Sequence, residues 1–270
     1  MSKVWNEDFT QVVEPGKAGT QAQKGIFFDD FRGITRRLTE AEGHEIGYNP
    51  ETVERNPIGQ EEPEDEVRTY RDTFGKDIMI RKGALNYEFF NSFLEQRPTG
   101  ENAKIKAYIV DFMKEEVGAN HNRYLAYSYM VTCTVDSGNY TDGTLTVNFS
   151  QAGSRTIGTI GRTDAAGAPE ITYGFTPSTD ITISSVNISD RAVANGITLT
   201  AGNERKLLVE FAPLGSEQGF LFTSDDEDIC TVGRNLQSLI ITGKSAGVTD
   251  VTVTSTKDSA ITATIEVTVS

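Results

Sequence analysis

Ile261-Thr-Ala-Thr-Ile-Glu-Val-Thr-Val-Ser270 alternates apolar and polar residues without a break. A period of two places Ile261, Ala263, Ile265, Val267 and Val269 on one face and the polar residues on the other, the pattern of a half-buried strand. The signature recurs upstream at 181–188, 197–200, 206–211, 220–223, 229–232, 239–242 and 249–255, with Gly, Asn, Asp and Ser between the runs. Short strands at this regular spacing predict a β-sandwich over residues 177–270. The sandwich region offers no grouping of residues suited to bond chemistry. A binding or assembly role is the starting expectation.

Residues 1–176 read differently. Ile26-Phe-Phe28 and Phe31 form one apolar patch, suited to a first strand or a docking arm. Residues 39–71 hold Gly43, Gly47, Pro50, Pro57, Gly59, Pro63 and the run Glu61-Glu-Pro-Glu-Asp-Glu66. That content predicts one long polar loop, and a loop of such length is functional or disordered. It suits an arm that orders against another subunit. Residues 77–82 read as a strand. Residues 84–96 read as a helix, with Leu85, Phe89, Phe93 and Leu94 on one face, and Pro98 and Gly100 ending it. This aromatic stripe reads as core.

Beyond the helix the period returns to two. Ile105, Ala107 and Ile109 share one face of a strand; Tyr108, Val110 and Phe112 share the other. A second strand runs from Arg123 to Val135, and Asp142-Gly143 turns the chain into 144–149. Further strands are expected at 155–160 and within 170–175. The Ala, Gly, Pro and Thr content of 163–178 suits a linker. The expected fold is therefore mainly β. An antiparallel sandwich or barrel with one packed helix occupies 1–176, and a second β-sandwich occupies 177–270.

The 270 residues carry a formal net charge of −14, with 39 acidic and 25 basic side chains. Such a surface repels phosphates and offers no basic stripe for nucleic acid. No apolar run is long enough for a spanning helix. The opening Met1-Ser-Lys-Val-Trp-Asn-Glu-Asp lacks the apolar core of a signal peptide, so folding in a cytoplasm is expected. The N-x-S/T matches at Asn139, Asn148 and Asn187 then carry no meaning. Cys133 and Cys230 fall in different regions and are expected reduced and buried.

Candidate chemistry is thin. His44 and His121 have no partner at metal-ligand spacing, and no Ser-His-Asp set is visible. Ser150 and Ser154 lie outside a nucleophile-elbow pattern. Gly158-Thr-Ile-Gly161 lacks the Lys-Ser/Thr of a phosphate loop. The acids 61–66 read as a solvated run. Asp225-Asp-Glu-Asp228 sits in a sandwich turn and matches no calcium-loop spacing. Asp136 with Asp142 is a weaker pair still. No two carboxylates are visibly opposed across a cleft. No catalytic residue, cofactor site or metal site is expected.

The C-terminal region resembles the bacterial immunoglobulin-like domains of group 2. The likeness rests on Val209-Glu-Phe-Ala-Pro213, Phe222-Thr-Ser-Asp-Asp226, Ile229-Cys-Thr-Val232 and Ile241-Thr-Gly-Lys-Ser-Ala-Gly-Val-Thr-Asp-Val251. Phe222 stands where the family has Trp, and Val248 where it has Thr. Gly243 and Gly247 suit positive-φ or close-approach positions. Such domains occur on surface adhesins and as appendages of bacteriophage virion proteins.

The N-terminal region resembles, in its layout, the tail tube subunits of long-tailed phages. The likeness rests on the polar stretch before Asp77-Ile-Met-Ile80, the helix at 84–96, the long hairpin 123–149, and Val147-Asn-Phe-Ser-Gln-Ala-Gly-Ser-Arg-Thr-Ile-Gly-Thr159. The resemblance implies hexameric rings that stack into a tube and residues 39–71 as the arm between rings. It further implies tape-measure and terminator proteins as partners, DNA passing through the lumen without specific binding, and an outward immunoglobulin-like domain in weak contact with host glycans. A capsid decoration or baseplate protein, or a carbohydrate-binding adhesin, are the alternatives.

Overall fold

The structure is a computed structural model that describes residues 24–38, 41–55, 64–81, 83–116, 122–164, 171–189 and 196–270. The chain divides into two compact units, Met1–Phe175 and Thr176–Ser270.

Strands β1 (Lys24–Asp29), β2 (Thr35–Arg37) and β3 (Ala41–Gly47) open the first unit. The hairpin β4 (Pro50–Arg55) and β5 (Glu64–Tyr70) follows, then β6 (Thr73–Met79), helix α1 (Leu85–Gln96) and the long strands β7 (Lys104–Glu116) and β8 (Arg123–Asn139). The last three are β9 (Thr144–Gln151), β10 (Thr156–Arg162) and β11 (Tyr173–Pro177), the final residues of β11 belonging to the second unit. One nine-stranded sheet runs β10-β11-β2-β1-β7-β8-β9-β6-β3, and β10 pairs a second time with β8. That extra pairing closes six strands into a barrel.

The length of β8 makes this possible. Its first half pairs with β10, from Arg123↔Gly161 to Ser128↔Thr156. Its second half pairs with β9, from Val131↔Gln151 to Asn139↔Thr144. The sheet therefore continues past the barrel as a flap of β9, β6 and β3.

The core lies on both sides of the sheet, as the period of two requires. Phe27, Tyr108, Val110, Tyr124, Ala126 and Ile160 fill the barrel. Their strand neighbours Ile26, Phe28, Ala107 and Ile109 face the other way and meet Phe89, Phe90 and Phe93 of α1. The helix ends where Arg97 adopts a left-handed conformation (φ 46°), just before Pro98. Asp30 sets the β1–β2 turn by accepting the backbone N–H groups of Arg32 and Ile34 at 2.8 and 3.1 Å and the Arg36 guanidinium at 2.7 Å.

Three expectations need correction. Residues 39–71 are not one loop: they contain β3 and the β4–β5 hairpin, with residues 39–40 and 56–63 outside the description. The prolines did not forbid strands because Pro50 is the first residue of its strand, where no ladder N–H is lost. The strand expected at 77–82 lies at Thr73–Met79 instead. Gly75 sits in this strand beneath Asn148, where a Cβ would collide with Asn148 Oδ1. Leu85, assigned to the buried helix face, opens the helix and is half exposed.

The second unit is a two-sheet sandwich. One sheet joins β12 (Ser185–Ser189), β14 (Glu204–Ala212), β17 (Ser238–Gly243) and β16 (Cys230–Asn235) in that order. The other joins β13 (Gly196–Leu199), β19 (Thr262–Val269), β18 (Gly247–Ser255) and β15 (Phe220–Ser224). β13 and β19 run parallel. Alternate residues of both sheets, among them Leu207, Val209, Leu239, Ile241, Val251, Val253 and Val267, make one core. Gly243 and Gly247 are close-approach positions: Cβ atoms there would meet Val269 Cγ1 at 3.1 Å and Ile229 Cδ1 at 2.7 Å. At the entry to this unit the Lys257 ammonium donates to the carbonyls of Ser178, Thr179 and Ile181 at 2.9, 2.6 and 2.9 Å.

Candidate functional site

Two surfaces of the first unit stand out once its strands are paired. The first is the outer face of the flap. Phe74, Ile78, Leu145, Val147, Phe149, Val131 and Cys133 point toward α1. The alternate positions point away: Thr73 and Asp77 on β6, Thr146 and Asn148 on β9, Thr132 and Thr134 on β8. Thr146 donates to Asp77 at 2.6 Å, and Thr134 donates to Asp136 at 2.8 Å. Asn148 donates to the second Asp136 oxygen. The face offers hydroxyls, amides and two satisfied carboxylates. On β6 the basic residue, Lys76, alternates to the opposite side.

The flap ends in a strand edge. β3 pairs with β6 on one side, and among the described residues no strand pairs on its other side. An uncovered edge presents unpaired N–H and C=O groups to another chain. Directly after β3 the β4–β5 hairpin leaves the sheet as a separate two-stranded ribbon. Its root is fixed by Asn49 and Arg71: the Arg71 N–H donates to the Asn49 carbonyl at 3.1 Å, and the Asn49 amide donates to the Arg71 carbonyl at 3.2 Å.

The second surface is a cavity of about 360 Å³ at this root, lined by Tyr48, Tyr70, Asp72, Gln151 and Arg155. Asp72 is buried and its Oδ2 accepts the Tyr129 hydroxyl at 2.8 Å. Burial, and then this bond to a carboxylate, push the Tyr129 phenol far above the usual tyrosine range. Gln151 holds the wall: its Oε1 accepts the Asp72 N–H at 3.0 Å and its Nε2 donates to the Gly153 carbonyl at 2.6 Å. The Arg155 guanidinium lies 4.7 Å from the Tyr127 ring centroid.

The sequence candidates distribute as follows. The side chain of His44, and His121 entirely, lie outside the described residues, as do 61–63 and the side chains of Glu64, Asp65 and Glu66. Gly158-Thr-Ile-Gly161 is part of strand β10, and Arg123 Nε donates to Thr159 Oγ1 there at 3.0 Å. Asp225-Asp-Glu-Asp228 forms the β15–β16 turn, where Asp226 Oδ1 accepts the Asp228 N–H at 2.9 Å. Among the described residues no three His, Cys, Asp or Glu are grouped to hold a metal ion. Sequence reasoning missed the cavity, whose lining comes from segments far apart in the chain.

Both cysteines are free and buried. Burial, and secondly the Asp136 charge, push the Cys133 thiol up to about 12. Native protein treated with iodoacetamide at pH 8 is expected to show no label on Cys133 by mass spectrometry, and full label once denaturant is added. Labelling of the native form would contradict its place under α1.

Residues 183–268 match the bacterial Ig-like domain (group 2) family. No curated protein matches the chain. Among solved structures it is similar to domains 4 and 5 of the S-layer protein SbsC, at 13% identity and a TM-score of 0.29, over 43% of this chain and 65% of that one. It is also similar to the C-terminal 282-residue fragment of intimin, solved with the intimin-binding domain of the translocated intimin receptor, at 14% identity and a TM-score of 0.24. That match covers 61% of this chain and 57% of the fragment. This chain thus spans less than two-thirds of either structure.

Proposed function

We propose that this chain is a structural, non-enzymatic subunit that assembles with copies of itself into stacked rings, as the tail tube protein of a long-tailed bacteriophage, with the Ig-like unit as an outward appendage. The observation that carries the reading is the flap: a sheet that closes on itself at one end and stops at the open strand edge of β3 at the other. Pairing that edge with another subunit removes a liability that a monomer would have to cover. A head-to-tail contact of this kind closes a ring when the rotation permits. The flap's outer face then lines the channel. Its hydroxyls, amides and two carboxylates offer passing DNA neutral groups and like charge. The β4–β5 hairpin reaches from one ring toward the next, and tape-measure and terminator proteins meet the ends of the tube.

The Ig-like unit by itself favours a second reading, a surface adhesin. Negative-stain electron microscopy of the purified full-length chain over a concentration series separates the two. Rings or hollow tubes bearing external knobs are expected. Monomers at every concentration, also in the presence of the phage's own tail-initiation complex, would overturn the tube reading in favour of the adhesin.

A further inference from the structure

The cavity at the hairpin root has a feature that strand pairing does not explain. Asp72 is 4% exposed, and only one of its oxygens is engaged, by Tyr129. No other side chain among the described residues bonds the second oxygen, and Asp72 lines the cavity. That second oxygen opens onto the cavity and is free to accept from a donor that enters it. Arg155 lines the same cavity: its guanidinium rests on the Tyr127 ring, bonds the Tyr129 hydroxyl and forms no ion pair with Asp72.

We propose that this cavity is a binding site for a neutral sugar, at the scale of one hexopyranose or N-acetylhexosamine unit. The lining carries one carboxylate and one guanidinium, so a charged ligand meets a like charge whichever its sign. A neutral polyol uses both, because adjacent hydroxyls donate to the carboxylate and accept from the guanidinium. Tyr48 and Tyr70, 48% and 56% exposed, add two amphipathic rings on which the C–H face of a pyranose packs. Gln151 is spent on the wall and keeps Asp72 in place. The volume of about 360 Å³ lies at the small end of the range of about 300–1,000 Å³ typical of ligand pockets. The site is on the first unit, apart from any glycan contact of the Ig-like unit, and does not depend on the tube reading.

Saturation-transfer NMR on the full-length chain tests this, with methyl glucoside, methyl galactoside and N-acetylglucosamine as probes and with acetate and tetramethylammonium as charged controls. Transfer to at least one sugar is expected, with a Kd on the order of 1 mM for so open a site. Tyr70→Ala is expected to weaken it about tenfold, and Asp72→Asn to weaken it as well. Tyr140→Ala, an exposed tyrosine in the β8–β9 turn, is expected to leave it unchanged. Tyr70 is exposed, so its removal does not threaten folding. The proposal is overturned by absence of transfer to every sugar, by preference for either charged control, or by sugar binding that Tyr70→Ala leaves intact, which would move the site elsewhere.

Discussion

A chain in which Gly-Gly replaces residues 50–70 is expected to fold and to lose assembly altogether. The hairpin can be removed cleanly because its root already has turn geometry. The Arg71 N–H reaches the Asn49 carbonyl at 3.1 Å. With two glycines between them, that contact becomes the closing bond of a two-residue β-turn, and glycine supplies the positive φ such turns need. The β3–β6 ladder beyond it, from Gly47↔Thr73 to Ala41↔Ile78, keeps its register. The excised ribbon carries β4 and β5 and the exposed Val67 and Tyr70, and among the described residues its strands pair only with each other. A two-stranded ribbon alone in water is marginal. A contact made in the proposed assembly would cover it. Electron microscopy at concentrations where the full chain forms rings or tubes would read the result, with hydrogen exchange confirming the fold. Tubes of unchanged length and stability would remove the hairpin from the interface.

Phe90→Ala is expected to destabilise the first unit by about 3–5 kcal/mol, the usual cost of deleting a buried phenylalanine. Phe90 is fully buried. Its ring lies 4.9 Å from Phe28 and from Phe89, 6.0 Å from Phe149 and 6.5 Å from Phe93, centroid to centroid. It therefore ties α1 to β1 and β9 at once, and its removal leaves a cavity in a close-packed core. Against a total of about 5–15 kcal/mol for a domain, the loss is a large fraction. Hydrogen exchange is the appropriate measurement, since one melting curve would mix two units. Amides of β1, β7 and β9 are expected to lose about two to three and a half powers of ten in protection, at roughly 1.4 kcal/mol per power of ten. Amides of β14 and β17 are expected to hold. Loss confined to α1 would mean that the helix is a local cover and not a wall of the core.

The second unit could be read from its sequence because each of its strands buries one face. Val251 and Val253 go into the core while Asp250 and Thr254 alternate outward, and that period survives without knowledge of the partner strand. The same logic found the two faces of β7. It failed on the β4–β5 hairpin because an isolated ribbon has no face that must be apolar. Its Pro, Gly and Glu content then looks like a loop. The flap's outer face was half visible in Thr144-Leu-Thr-Val-Asn-Phe149, but which strands would lie beside it was not. The cavity was invisible for a stricter reason. Tyr48, Tyr70 and Asp72 meet Gln151 and Arg155 only through the β6–β9 register, Thr73↔Ser150, a pairing that no local signal encodes.

The position of β19 also bears on the order in which the molecule is made. It is made after the other three strands of its sheet and is an interior strand, flanked by β13 and β18. It brings Ile265, Val267 and Val269 to the sandwich core. The first unit has all but the final residues of β11 within its own bounds and, made before the second, can close its barrel during synthesis. The Ig-like unit cannot complete its sheet until residues 262–269 have emerged. Until then the inner edges of β13 and β18 face each other across a gap one strand wide. The nascent chain is thus a finished barrel trailing an unfinished sandwich, and any strand supplied by a neighbouring ribosome product competes for that gap.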